Sequence, residues 1–157
     1  MNQNRRTMLK ASSSLTVLGL AISAGLIKPN EAFAKAGYNE KAFDAKTMDD
    51  LMKALGGSMP TESKDIIVVA PDIAENGAVV PVGAESKLKN TTEVSLLVAN
   101  NPAMMSAQFM IPEGTEAKVN TRVKMGKSSD VYALVKADGK YYFAKKEVKV
   151  TLGGCGG

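Results

Sequence analysis

Ala117-Lys118-Val119-Asn120-Thr121-Arg122-Val123-Lys124-Met125 sets apolar or β-branched residues against polar or basic ones at every second position. A period of two places one set on a core and the other in water, which is the pattern of a half-buried strand with a basic outer face. The same pattern extends toward both ends of the chain. Val131 to Lys136 and Tyr141 to Ala144 flank Asp138-Gly139, a hairpin turn signal, and Val148, Val150 and Leu152 alternate with Glu147, Lys149 and Thr151 in a last strand. In the other direction, Ser106 to Ile111 reads as a strand closed by Pro112-Glu113-Gly114, and Glu93 to Ala99 as one closed by Asn100-Asn101-Pro102. Val79 to Val82 is a further strand, its Pro81 marking an edge or a bulge. Asn76-Gly77 predicts a hairpin turn joining that strand to Asp72-Ile73-Ala74, and Asp65 to Ala70 reads as a buried strand interrupted by Pro71. Seven or eight short strands in about 90 residues, with turns at regular spacing, predict an all-β fold: an immunoglobulin-like antiparallel β-sandwich. No spacing indicates βαβ units.

One segment before the strands has a different period. Met48, Leu51, Met52 and Leu55 fall on one stripe of a helix over Thr47 to Gly57. Thr47 caps it, Asp50 completes a box-like start, and Gly56-Gly57 ends it. The apolar stripe packs on a sheet or on a partner. Lys35 to Phe43 reads as a loosely held lead-in.

The first 34 residues have another purpose. Asn4-Arg5-Arg6-Thr7-Met8-Leu9-Lys10 is a paired-arginine segment, Leu15 to Ile27 is moderately apolar, and Ala32-Phe33-Ala34 has small residues where a signal peptidase reads. These features predict a twin-arginine signal peptide over 1–34 and a periplasmic location for the remainder. The apolar run is short and holds Gly19 and Gly25, which argues against a membrane span, and no cysteine follows it to carry a lipid anchor. The twin-arginine route carries folded proteins, so folding and partner assembly are expected before export.

The signal also accounts for most of the basic charge. The whole chain is +4, of which residues 1–34 hold +3 and the rest about +1. Charges downstream are mixed and no basic block or aromatic stacking cluster stands out, which excludes nucleic acid as a partner. Of the remaining 123 residues, 35–152 make one domain, large enough for its own core.

That domain ends in Gly153-Gly154-Cys155-Gly156-Gly157, a tail holding the only cysteine of the chain. Packing cysteines are normally buried, whereas glycines on both sides make this stretch, 153–157, a flexible arm. Its thiol is held out roughly 10 Å beyond Leu152 at about 3.3–3.6 Å per extended residue. With no histidine in the chain and the terminal carboxylate nearby, nothing lowers the Cys155 pKa, and only a few per cent is thiolate near neutral pH. The setting suits a passenger thiol activated inside other proteins' pockets, not an independent nucleophile. A disordered tail with an incidental cysteine and an intermolecular disulfide remain as alternatives.

Other chemistry is missing. Without histidine there is no Ser-His-Asp or Cys-His arrangement and no imidazole metal site. Asp65, Asp72, Glu75 and Glu85 are scattered over turns and strands as solvated residues. Seven methionines follow the signal, among them Met104-Met105 beside a turn; most belong to the core and a few to an adaptable docking face. No catalytic residue, cofactor site or metal site is expected, and the chain is read as non-enzymatic.

The tail, the signal and the sandwich together resemble the SoxY family, the sulfur-carrier subunit of the periplasmic thiosulfate-oxidising system. The resemblance extends to Pro71-Asp72-Ile73-Ala74-Glu75-Asn76-Gly77-Ala78-Val79-Val80-Pro81-Val82, to Thr121-Arg122-Val123-Lys124-Met125-Gly126-Lys127, and to Val135-Lys136-Ala137-Asp138-Gly139-Lys140. Many members carry further residues after the last glycine, where this sequence has Gly157 last. The resemblance implies a heterodimer with SoxZ, a smaller sandwich protein without its own signal. It implies that Cys155 accepts thiosulfate by oxidative conjugation at the c-type cytochrome complex SoxAX, giving a cysteine S-thiosulfonate. SoxB, a manganese-dependent hydrolase, then releases sulfate, and SoxCD oxidises the remaining sulfane sulfur in some organisms. Metals and haems belong to those partners. Gly153, Gly154, Gly156 and Gly157 would let the swinging arm enter narrow channels. Two other readings differ in class: an exported interaction module whose Cys155 is a disulfide tether, and a thiol-dependent redox enzyme, which the lack of a resolving cysteine disfavours.

Overall fold

The computed structural model describes residues 39–152, from the first helix to the end of the last strand. The predicted signal over 1–34 and the arm over 153–157 lie outside these residues. Two helices, α1 (Glu40–Phe43) and α2 (Met48–Leu55), precede nine strands. The strands are β1 (Thr61–Glu62), β2 (Ile66–Val69), β3 (Ile73–Asn76), β4 (Val80–Ser86), β5 (Thr91–Val98), β6 (Met105–Met110), β7 (Lys118–Val123), β8 (Ser129–Ala137) and β9 (Lys140–Leu152).

They form the expected immunoglobulin-like sandwich. The larger sheet runs β1-β9-β8-β5-β6 with β3 also on β9, and the smaller sheet runs β2-β4-β7. Between them Val80, Val82 and Ala84 of the smaller sheet meet Val94, Leu96, Val131, Ala133, Val135 and Val148 of the larger one, all buried. The alternation that opens the sequence reading is β7: Val119, Thr121 and Val123 pair with Ala84, Val82 and Val80 on the core face, while Lys118, Asn120 and Arg122 fall on the other.

The larger sheet is buried on both faces. Val94, Leu96 and Val98 of β5 point into the sandwich. Leu97, with Leu134 and Tyr141 from neighbouring strands, packs outward against Leu51 and Met52 of α2 and Ala42 of α1. The helices thus form a third layer, and the partner of the helical stripe is the chain's own sheet. Thr47 caps α2 by accepting from the Asp50 amide at 3.2 Å, and Gly56 ends it in the left-handed region at φ 67°. Gly57 lies so close to Tyr141 that a Cβ there would come within 2.5 Å of the ring.

Four local expectations differ from the structure. The described part of the lead-in, 39–43, is a capped helix: Asn39 caps α1, its side chain donates to the Ala54 carbonyl at 2.8 Å, and Ala42 is fully buried. Asn76-Gly77 does not join a hairpin. The Asn76 side chain accepts from the Ala78 amide at 2.8 Å in a local turn, and the chain there leaves one sheet for the other, so β3 pairs with β9 and β4 with β2 and β7. The two C-terminal strands are one, because β9 runs unbroken through Lys145-Lys146-Glu147. Lys146 shares its face of β9 with Ala144 and Val148, yet it is only half-buried and its amine reaches the Ala70 carbonyl at 2.6 Å and Asp72 at 3.0 Å, so the charge stays at the edge and paired. Finally, β1 and β3 run parallel to β9 within an otherwise antiparallel sandwich, since both lie along one edge of β9 on either side of the excursion through β2. Pro71 sits at that crossing, and Pro81 lies on β4 beyond the residues that β2 pairs, where no ladder bond is lost.

Asp138-Gly139 turns β8 into β9 with φ 49° and 73°, the paired positive values of a tight hairpin.

Two outcomes follow from the helix layer. Leu51→Ala, at a fully buried side chain, lowers unfolding stability by about 2–5 kcal/mol, read as a shift in urea midpoint at unchanged slope. Burial pushes the Tyr141 hydroxyl up to about 12, with the carboxylate of Glu93 adding to the effect. The unfolded chain ionises this tyrosine near pH 10 while the folded one holds its proton, so the contribution of Tyr141 to stability is complete below pH 10 and falls away toward pH 12. Alkaline urea titrations of the wild type and Tyr141→Phe check this: the variant loses that part of the pH dependence.

Candidate functional site

The described residue nearest the predicted arm is Leu152, and the last turn of β9 is held on both edges. On one side β3 pairs in parallel, Ile73 with Lys149, Ala74 with Val150 and Asn76 with Leu152. The Lys149 amide donates to the Asp72 carbonyl at 2.9 Å and the Thr151 hydroxyl to the Glu75 carbonyl at 3.2 Å. On the other side β8 pairs as far as Ser129 opposite Val148, and the Val150 amide then donates to the Ser128 hydroxyl at 2.9 Å. Successive amides of an extended strand point to opposite edges, so a strand clamped on both has no side free to peel.

Two loops gather at this end of the sandwich: Ala99 to Met104 between β5 and β6, and Lys124 to Ser128 between β7 and β8. The Asn101 amide group donates to the Lys124 carbonyl at 2.7 Å, and that of Asn100 to the Ser128 carbonyl at 2.9 Å. The Met125 amide donates to the Gly77 carbonyl at 2.7 Å, one residue from Asn76, the partner of Leu152. Between the loops lies an open groove of about 430 Å³ lined by Asn100, Asn101, Pro102, Lys124, Gly126 and Lys127. Neither lysine has an ion pair among the described residues. The carboxylates singled out in the sequence do not converge. Asp72 pairs with Lys146, Glu85 pairs with Lys118 at 3.4 Å, and no group of three metal-ligating side chains forms among the described residues.

Cys155 and its four flanking glycines lie outside the described residues, so the structure gives the anchorage of the tail. Sequence reading missed Ser128 and the β3 clamp. A serine after Gly126-Lys127 reads as turn, and β3 was expected in a hairpin. Five methionines, 48, 52, 104, 105 and 125, pack into the cores, whereas Met59 and Met110 are exposed. Exposed apolar residues also lie on β2, at Ile67 and Val69, on β3 at the edge of the larger sheet, at Ile73, and just before β4, at Val79.

No curated protein matches the chain. Among solved structures, the chain is similar to the sulfur carrier protein SoxY from Chlorobium limicola f thiosulfatophilum, with 39% identity and a TM-score of 0.60 over 66% of this chain and 96% of that one. A chain from a structure of T cell activation by the bacterial superantigen toxic shock syndrome toxin-1 is similar over 54% of this chain and 98% of its own, at 13% identity and a TM-score of 0.39, a likeness too slight to bear on function. The family model for the sulfur oxidation protein SoxY matches residues 51–155, from the second turn of α2 through the single cysteine, and the chain belongs to the SoxY family.

Proposed function

We propose that the chain is a covalent carrier of sulfur intermediates in thiosulfate oxidation, with Cys155 as the attachment point. The family match, which runs to residue 155, carries this reading. The similar Chlorobium protein, a sulfur carrier, supports it. So does the clamped end of β9, a fixed root for a thread of glycines. The reaction on the thiol is a two-electron oxidation. The Cys155 sulfur bonds to the sulfane sulfur of thiosulfate, its proton is released, and both electrons pass to a c-type cytochrome partner. Hydrolysis of the resulting S-thiosulfonate breaks the bond between the two sulfurs of the thiosulfate unit, consumes one water and gives sulfate, two protons and a persulfide left on Cys155. Each step needs a metal or redox centre that belongs to a partner, and the chain provides the handle.

In this reading residues 1–34 direct export by the twin-arginine route to the periplasm, and the body pairs with SoxZ. SoxAX and SoxB, and SoxCD in those organisms that oxidise the sulfane sulfur, are the transient partners of the arm. The exposed apolar residues Ile67, Val69, Ile73 and Val79 support a protein partner on or beside the smaller sheet. The carrier subunit itself is non-catalytic.

The test is intact mass of the protein from thiosulfate-grown cells, before and after reductant. Reductant-sensitive additions of sulfane sulfur or thiosulfonate on the C-terminal peptide are expected, and Cys155→Ser abolishes both these additions and thiosulfate oxidation. Only free thiol and disulfide-linked dimer during thiosulfate consumption would instead identify Cys155 as a tether. Gly154→Val narrows the thread's passage without touching the core. Partner-catalysed sulfate release from it falls about tenfold or more, the scale of roughly 1.4 kcal/mol in a barrier, while its urea midpoint matches the wild type. An unchanged rate would remove the channel argument.

A further inference from the structure

Strand β6 ends the larger sheet. It is bonded to β5 on one side and to no other strand among the described residues. The Ile111 amide, just past the strand, donates to the Thr92 carbonyl at 2.9 Å. Backbone groups of an antiparallel strand alternate between its two edges. Ile111, Phe109 and Ala107 therefore bond to β5, while the N–H and C=O of Gln108 and Met110 face outward. The pairing steps from Leu96–Ala107 to Leu97–Met105, a bulge at Ser106 that ends the regular edge. The open ladder is thus Ala107 to Ile111. Ala107, Phe109 and Ile111 are half-buried against the core between the sheets. On the other face Met110 is 66% exposed beside a half-buried Gln108.

Sheet edges are normally guarded by charge, proline or a covering segment. β7 carries Lys118 and Arg122, while β2 lies between Asp65 and Pro71 and Lys146 occupies the Ala70 carbonyl at its end. By contrast, Met105-Ser106-Ala107-Gln108-Phe109-Met110-Ile111 holds no charge, no proline and no glycine. Such an edge accepts an extended strand, and its neutrality selects one without charge. The segment meets that requirement itself. In an antiparallel pair of two copies with a dyad at Phe109, the two phenylalanines face each other. Ala107 then lies opposite the partner's Ile111, and Gln108 opposite the partner's Met110. Phe109 falls at a non-hydrogen-bonded position, where side chains approach most closely. Every outward N–H and C=O of Gln108 and Met110 finds its complement in the other copy. The half-buried apolar row continues across the junction, and no like charges meet within the paired segment. We infer that β6 is a homodimer seam, joining two copies of this chain into one continuous sheet. β9 lies three strands away, roughly 14 Å at about 4.8 Å per strand, so the last strands of both copies stay clear of the seam. A ladder this short gives a weak, concentration-dependent pair. The inference is independent of what Cys155 carries.

The experiment uses the purified chain with Cys155→Ser, which removes disulfide pairing. Sedimentation is followed from micromolar to millimolar concentration, with amide hydrogen exchange on the same samples. A monomer–dimer equilibrium is expected, insensitive to salt. Protection of the Gln108 and Met110 amides rises with concentration, whereas that of Phe109 and Ile111, bonded to β5, is present throughout. Two double variants test the register. Gln108→Lys/Met110→Lys sets lysine opposite lysine on both sides of the dyad and weakens dimerisation about tenfold. Gln108→Lys/Met110→Glu sets lysine opposite glutamate and keeps dimerisation within about threefold of the parent. Urea midpoints matching the parent show that both variants fold. A chain that stays monomeric at millimolar concentration overturns the inference and leaves the edge to a strand of a different protein. A dimer whose Gln108 and Met110 amides exchange as fast as in the monomer also overturns it, since the contact then lies on another face. Equal loss of dimer in the two variants removes the proposed register and the seam with it.

Discussion

Strand β9 is the member on which the rest of the sandwich leans. It is bonded to β8 along one edge and to β1 and β3 in succession along the other. The second edge requires the chain to visit the smaller sheet as β2 and return, and this excursion closes one side of the sandwich. At the crossing, Lys146 reaches to the Ala70 carbonyl and the Asp72 carboxylate, tying the chain there to β9. Parallel pairs are slightly weaker per residue than antiparallel ones. Here they are reinforced by the Thr151 hydroxyl and the Lys146 amine, and the body holds its last strand firmly up to the residue where the glycines begin.

The sequence made the strands legible wherever pattern and turn chemistry agree. The alternation over residues 117–125 is β7, and Asp138-Gly139 has the two positive φ values that its residue types favour. Thr47 caps α2 as its spacing implies. Legibility failed where pairing is decided at a distance. Asn76-Gly77 has the residues of a hairpin, but the core calls β3 to one sheet and β4 to the other, and a local turn signal cannot choose between sheets. The polar run Lys145-Lys146-Glu147 looked like a break between strands because its charges are satisfied by residues far away in sequence, Asp130 and Asp72.

The site divides in the same way. A single cysteine between glycines can be read directly from the chain, since its meaning depends on what it lacks: bulk, neighbours and a base. The groove could not be read. Asn101 and Lys124 are 23 residues apart and meet only because β5 and β7 end at the same pole of the sandwich. In the sequence Lys124 is one more residue on the polar side of a strand. What separates it from Lys118 is the absence of a carboxylate beside it, a property of the folded surface.

The helix layer has its own consequence. By covering the outer face of the larger sheet, α1 and α2 turn β5 into an interior strand, with Glu93 and Ser95 buried on the helix side. A sheet enclosed in this way has little freedom to flex or re-register when something pulls on one of its strands. Load applied to the tail is borne as shear by ladder bonds, which resist it together. The body then works as a rigid handle: under the proposed function its own shape does not report what the arm carries.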